Sequence, residues 1–266
     1  MVDGEEIKRL QELTSKKRIY FFDSGDDAIM FLMKYFLQNN LRKILIPDCG
    51  GWFSYRKYPK RLGLEIAETK TDDALVNLDD LKSHLSKDAF VMVNSLGGYF
   101  VQEPMRQINL ICEQENIVLV NDVSASIGTE LAHYGEFCVG SFGNDKPIEL
   151  GTGGFIGSNI ELHVERCGFE NEANMAQLRA ALENLPQKLD YWNDIREKII
   201  VDMSDFNIIH KDGMGINIVV AYANAQEKEN LINYCNKHLL EYVLCPNYIK
   251  VNRDAISIEI KRLEYK

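Results

Sequence analysis

Lys146 ends the segment Ser141-Phe142-Gly143-Asn144-Asp145-Lys146, which follows an apolar run, Phe137 to Phe142, that reads as a strand, and precedes the turn Gly151-Thr152-Gly153-Gly154. Asp122 ends another strand-like run, Ile117 to Asn121, 24 positions upstream of the lysine. A lysine amine can hold an aldehyde as a Schiff base, and a carboxylate can keep a pyridine nitrogen protonated. Together they meet the two chief demands of a site for pyridoxal 5'-phosphate. Such a site also needs donors for a phosphate and a flat side chain against a ring. Ser24, Gly25 and Asp26 open a helical pattern whose N-terminus attracts an anion, with Ser124, Ser141 and Asn144 as further polar contacts near the lysine and the aspartate. The carboxylates of Asp26 and Asp27 would repel a dianion and are expected to point outward. Trp52 or Phe53, just past the run ending at Pro47, could lie flat on the ring.

Each feature also has an ordinary explanation. A lysine in a polar loop is usually a solvated charge, Asp122 or Ser124 could be a cap, Ser24 a plain N-cap, and the glycine run a turn needing positive φ. Trp52 and Phe53 could be core aromatics. Arg253, before the last strand, could pair with a substrate carboxylate or be a surface charge.

These residues must be positioned by the elements around them, and the chain alternates strand and helix patterns. Ile19–Phe22, Ile44–Pro47, Leu64–Ala67, Phe90–Asn94 and Ile117–Asn121 read as strands, with helical periodicity after Gly25 and near 51–62, 78–86 and 104–115. That rhythm predicts an α/β fold, a mostly parallel sheet with helices on both faces. In such sheets ligands bind beyond the carboxyl ends of the strands, where Ser24, Gly25 and Asp122 fall. The predicted organisation is an N-terminal helix in 1–17, a large domain over 18–165, a connecting long helix in 166–205 that could kink at Pro186, and a small C-terminal α+β lobe over 206–266. That lobe is expected to hold one strand, helix and strand set: Ile216–Ala221, Gln226–Leu239 and Asn247–Ile260.

Composition sets the outer limits. The 266 residues are 45% hydrophobic and 26% charged, enough for a full core. The balance of 30 Lys and Arg against 40 Asp and Glu gives a net charge of −10, which disfavours nucleic acid and anionic membrane as partners. No apolar run approaches the roughly 20 residues of a membrane helix. The six cysteines form no C-x-x-C pair and the five histidines no H-E-x-x-H, so no metal is expected and the thiols read as reduced, in a cytoplasmic enzyme.

In order, several segments resemble the DegT/DnrJ family of sugar aminotransferases within the fold-type I pyridoxal-phosphate superfamily. Asp23-Ser24-Gly25-Asp26-Asp27-Ala28 is similar to that family's S-G-T-x-A helix start, and Ile44-Leu45-Ile46-Pro47 to its V-I-V-P strand. Asn121-Asp122-Val123-Ser124-Ala125 resembles E-D-A-A-Q, and Ser141-Phe142 with Lys146, then Gly151–Gly154, resembles S-F-x-x-x-K and G-E-G-G. Met175–Asp190 is similar to the helix that follows. Ala125, Thr152 and Asp26 depart from the family pattern, and the chain is short for the family, with the missing length in the C-terminal lobe. The resemblance implies an aminotransferase that moves an amino group from an amino-acid donor to a keto-sugar or other small carbonyl acceptor through a Lys146 Schiff base, working as a homodimer. A lyase, aldolase or decarboxylase using the same cofactor, or a degenerate binding or regulatory subunit, are the alternatives. The short lobe suggests a narrow or weakened enzyme with an open pocket.

Overall fold

The computed structural model describes residues 4–165 and 167–265. Its centre is a seven-stranded sheet built from β1 (Arg18–Phe22), β2 (Lys43–Pro47), β3 (Glu65–Thr69), β4 (Ala89–Asn94), β5 (Val118–Asp122), β6 (Phe137–Ser141) and β7 (Gly154–Ser158). Their order across the sheet is β1-β7-β6-β5-β4-β2-β3. The pairs β6–β5, β5–β4, β4–β2 and β2–β3 are parallel, while β7 runs antiparallel to both of its neighbours. The expected α/β architecture with a mostly parallel sheet is therefore the observed one. β4 is buried at every position, as a central strand covered on both faces should be.

The described residues form seven α-helices, α1 (Glu5–Thr14), α2 (Gly25–Gln38), α3 (Ser54–Leu62), α4 (Leu78–Ser83), α5 (Met105–Glu115), α6 (Glu172–Asp202) and α7 (Ala225–Lys237), and those that cover the two faces of the sheet turn an apolar stripe towards it. On one side α2 (Gly25–Gln38) buries Ala28, Leu32 and Phe36, in the core formed with Ile44, Phe90 and Phe137 of the sheet. Ser24 caps this helix by accepting from the Asp27 N–H at 3.1 Å, and Asp26 and Asp27 in the first turn favour its positive end. On the other face α5 (Met105–Glu115) and the 31-residue α6 (Glu172–Asp202) bring Ile108, Trp192 and Ile199 into the core that contains Val91 and Leu119. α6 is one helix through Pro186. No helix among the described residues is long and apolar enough to cross a membrane.

The C-terminal lobe differs from expectation. It is a four-stranded antiparallel sheet of Asn207–Ile208, Ile218–Ala221, Tyr242–Cys245 and Ala255–Ile258, with one helix, α7 (Ala225–Lys237). Tyr242-Val243-Leu244-Cys245 is an apolar run that Pro246 ends, and it pairs with Ala255–Ile258 across the loop that the sequence pattern had assigned to a single long strand. Ile218, Ile256 and Ile258 belong to the same core as Val91 and Trp192, so lobe and large domain share one apolar interior. Burying side chains of this size stabilises by about 1.5–3 kcal/mol each.

Candidate active site

Parallel strands place their carboxyl ends at one edge, and the chemistry-bearing residues follow those ends. β1 leads to Ser24, β2 to the loop with Trp52, β4 to Tyr99, β5 ends on Asp122, and β6 leads to Lys146. Ser24, Gly25, Asp26, Trp52, Asp122, Ser124, Ser141 and Lys146 line one cavity of about 200 Å³, joined by Tyr99. The two residues with the most specific chemistry, Lys146 and Asp122, thus face a common space.

Asp122 is buried and held at both oxygens. The Tyr55 hydroxyl donates to Oδ2 at 2.6 Å and the Ser124 N–H to Oδ1 at 3.0 Å. Tyr55 comes from α3 (Ser54–Leu62), three positions after Trp52, and is fully buried. Burial and the neighbouring Asp122 carboxylate raise the Tyr55 pKa, so it stays a donor. Ser124 Oγ in turn accepts from the Ser141 N–H at 3.0 Å, tying the ends of β5 and β6 together.

Lys146 is buried, which is unusual for a lysine. Its Nζ donates to the Tyr99 hydroxyl at 2.9 Å and lies 5.3 Å from the centre of the Trp52 ring. Burial pulls its pKa below the usual lysine value, with Asp122 and Asp145 pulling the other way. Its loop is fixed from outside: the Lys188 Nζ donates to the Lys146 carbonyl at 2.8 Å, and Arg262 pairs with Asp145 at 3.2 Å.

A tight glycine cradle forms where α2 starts. A Cβ on Gly25 would sit 2.6 Å from the Ser141 Cβ, and one on Gly154 would sit 2.5 Å from the Gly25 nitrogen. The helix start, the end of β6 and the start of β7 therefore pack backbone to backbone. The glycine turn before β7 has positive φ at Gly151 and Gly153 and supports this packing from behind, outside the cavity lining. The start of a helix carries unpaired N–H groups and a partial positive charge that favour an anion, although here Ser24 Oγ takes the Asp27 N–H.

Four of the residues named from the sequence, Asp26, Asn144, Phe53 and Arg253, stand differently from the site roles considered for them. Asp26 does not turn outward: it lines the cavity, and its Oδ1 accepts from the Trp52 indole N–H at 3.1 Å and the Ser54 hydroxyl at 2.6 Å, two strong donors that draw it in. Asp27 does lie exposed, accepting from the Ser24 hydroxyl at 2.7 Å. Asn144 is exposed and outside the lining, because the loop turns through a left-handed Asp145 and presents Lys146 instead. Phe53 packs on Trp52 at 4.6 Å and leaves the cavity wall to the tryptophan. Arg253 pairs with Asp73 at 3.0 Å on the surface. Sequence reasoning missed Tyr55 and Tyr99. Helical spacing from Trp52 could have found the first, and the strand-end rule the second.

A lysine, a doubly held carboxylate, an indole and a helix start around one cavity are the donor set that a pyridine ring, an aldehyde and a phosphate require. Comparisons with known proteins bear on the fold and the family. GDP-perosamine synthase of Vibrio cholerae is 24% identical over 136 residues, 48% of this chain, and the match spans 34% of that relative's length. Among solved structures, Helicobacter pylori PseC, an aminotransferase involved in the biosynthesis of pseudoaminic acid, superposes with a TM-score of 0.77 at 14% identity, covering 97% of this chain and 86% of its own. The E. coli GDP-4-keto-6-deoxy-D-mannose-3-dehydratase with bound hydrated PLP gives 0.75 at 13% identity, covering 98% and 89%. At such identities these likenesses establish the fold. The profile of the MJ1341 family C-terminal domain matches residues 182–266, most of α6 and the lobe. The profile that matches residues 8–196 takes in every wall of the cavity, and by it this chain belongs to the DegT/DnrJ/EryC1/StrS aminotransferase family.

Proposed function

We propose that the protein is a pyridoxal-phosphate-dependent aminotransferase that moves an amino group from an amino-acid donor to a keto-sugar or other small carbonyl acceptor. The observation that carries this reading is the convergence of Lys146, Asp122, Trp52 and the start of α2 on one cavity. When bound, the cofactor supplies an electron sink for a bond broken next to the substrate nitrogen. The residues of this chain do the rest. Asp122, fixed by Tyr55 and Ser124, offers a carboxylate to the ring nitrogen. Lys146, as a free amine, would move the proton from the donor's α-carbon to the cofactor's C4′ and, in the second half-reaction, from C4′ to the former carbonyl carbon of the acceptor. Trp52 bounds the ring, and Gly25, Ser24 and Ser141 hold the phosphate. A second copy of the chain completing the site as a homodimer belongs to the same proposal, and sedimentation at micromolar concentration checks it.

Adding pyridoxal 5'-phosphate to the purified chain should produce a visible absorption band at one equivalent. That band should bleach on addition of an amino-acid donor such as glutamate and return with a nucleotide-linked keto-sugar. A band that no amino donor bleaches would move the assignment to another reaction of this fold, and no band at all would overturn the reading.

Asp26 makes a further prediction. Its carboxylate shares the cavity with the proposed phosphate site, so Asp26→Asn should tighten cofactor binding by about tenfold through the loss of one like charge. Both hydrogen bonds go to a single oxygen, Oδ1, which the amide keeps, so Trp52 and Ser54 stay in place. Titration of the visible band checks this; unchanged affinity would put the carboxylate out of electrostatic reach of the phosphate.

A further inference from the structure

Tyr99 is a residue that neither the sequence pattern nor the family motifs single out. It lies in the loop after β4, has a left-handed backbone with φ of 70°, and is 4% exposed. A tyrosine there is strained, so the surrounding structure must hold it. Its hydroxyl is 2.9 Å from Lys146 Nζ, and its ring meets Trp52 edge-on at 6.5 Å. Two more ammonium groups stand by the same ring: Lys250 Nζ is 5.0 Å and Lys261 Nζ 5.1 Å from its centre. Both are buried, and both come from the C-terminal lobe, beyond the residues that the aminotransferase profile matches.

The lobe holds these cations through Glu259. Its carboxylate pairs with Lys250 at 2.9 Å and Lys261 at 3.4 Å and accepts from the Ser257 hydroxyl at 2.7 Å. Lys250 also donates to the Gly98 carbonyl at 3.2 Å, next to Tyr99 in the chain. Lys261 reaches Asp145 at 3.5 Å, the residue before Lys146. Burial alone would push the Glu259 carboxyl up, and the two ammonium groups outweigh it, so it stays ionised. The lobe thus grips both the tyrosine and the lysine loop.

We propose that Tyr99 is a catalytic partner of Lys146, a phenol that hydrogen-bonds the reacting amine and is held against it by Lys250 and Lys261 of the C-terminal lobe. This deepens the aminotransferase reading and rests on it for the word catalytic. A phenol serves both states of the amine: it accepts from the ammonium and donates to the neutral nitrogen, at one separation and with no net proton transfer to itself. Burial, reinforced by Asp122, keeps Tyr99 protonated, so it is available as a donor at neutral pH. The charged groups around Lys146 are Asp122 at the end of β5, Asp26 in the same cavity at the start of α2, Asp145 and Glu149 in its own loop, Lys188 of α6 on its carbonyl, and Glu259, Lys250 and Lys261 from the lobe.

The test uses the full chain without cofactor, reading the pH dependence of Lys146 acylation by an amine-selective reagent through peptide mass spectrometry. Tyr99→Phe removes a partner that holds the ammonium, through a charge-assisted bond, more strongly than it holds the neutral amine, and should move the midpoint of reactivity down by about one pH unit. Lys261→Met removes a like charge and frees Glu259 and Asp145 to act on Lys146, so its midpoint should move up. General loosening of the site would shift both variants the same way. An unmoved midpoint in a folded Tyr99→Phe protein, or shifts of one sign in both variants, would overturn the proposal. If Lys261→Met does not fold, Tyr99→Phe decides alone. In the loaded enzyme Tyr99→Phe should keep the visible band while amino-group transfer slows about 10²-fold. A wild-type chain that never shows the band would sink the aminotransferase reading, while the acylation midpoints would still report on Tyr99 and Lys146.

Discussion

Lys146→Ala is expected to abolish the visible band on addition of pyridoxal 5'-phosphate and to lower amino-group transfer by about 10⁴-fold or more. Among the described residues the lysine is the one amine in the cavity lining, so no neighbour there can take over the covalent role proposed for it. Lys250 and Lys261 stand 5.0 and 5.1 Å from the Tyr99 ring centre, outside the cavity lining, and are tied to Glu259. Lys43→Ala is the control: that side chain pairs with Glu65 at the opposite end of β2, so the band should survive. The fold should tolerate the alanine, since the loop is held by the Lys146 carbonyl and by Asp145, neither of which depends on the Lys146 side chain. The wild type also has an expected pH dependence. Cofactor capture needs the neutral amine, and burial lowers the lysine's pKa against the pull of Asp122 and Asp145. The capture rate should rise with pH and level off below about 10.4, the ordinary lysine value. A plateau only above that value would mean that the pull of Asp122 and Asp145 outweighs burial.

Much of this site is readable from the chain because parallel strands convert sequence order into spatial order. A residue just past the carboxyl end of any such strand falls on the same edge, so Ser24, Trp52, Asp122 and Lys146 could be collected without knowing a single contact. Two kinds of information were out of reach. The first is side-chain direction: Asp26 sits one residue past an exposed-looking helix start, and only the indole of Trp52 and the hydroxyl of Ser54, 26 and 28 positions on, turn it inward. The second is long-range pairing between units. Lys250 reaches the Gly98 carbonyl across 152 positions, and nothing in the spacing of either residue encodes that meeting. The lobe's extra strand belongs to the same class, because Tyr242–Cys245 is too short to show a period and becomes a strand through its partner, Ala255–Ile258. The lobe therefore holds more strands than its length suggested, and through Lys261 and Arg262 on Asp145 it braces the loop that carries Lys146.

Asp122→Asn is expected to slow amino-group transfer by about 10³-fold while leaving the protein folded and the visible band present. The substitution removes charge and almost nothing else. Ser124 N–H can keep the oxygen at Oδ1, and the new amide nitrogen at the other position can donate to the Tyr55 oxygen, whose proton rotates away. Both hydrogen bonds persist, so stability should change by no more than about 1 kcal/mol, measured by thermal unfolding. What is lost is the negative charge that keeps a ring nitrogen protonated, which a neutral amide cannot replace. Tyr55→Phe separates charge from orientation. It leaves the carboxylate in place with one donor fewer, and should cost about tenfold, the loss of one positioning hydrogen bond to a charged group. Stopped-flow bleaching of the band by an amino donor reads both variants on one scale. Equal losses in the two would mean that the position of the carboxylate matters and its charge does not. A loss in Tyr55→Phe larger than in Asp122→Asn would remove Asp122 from the ring nitrogen altogether, and with it the orientation of the cofactor assumed for this cavity.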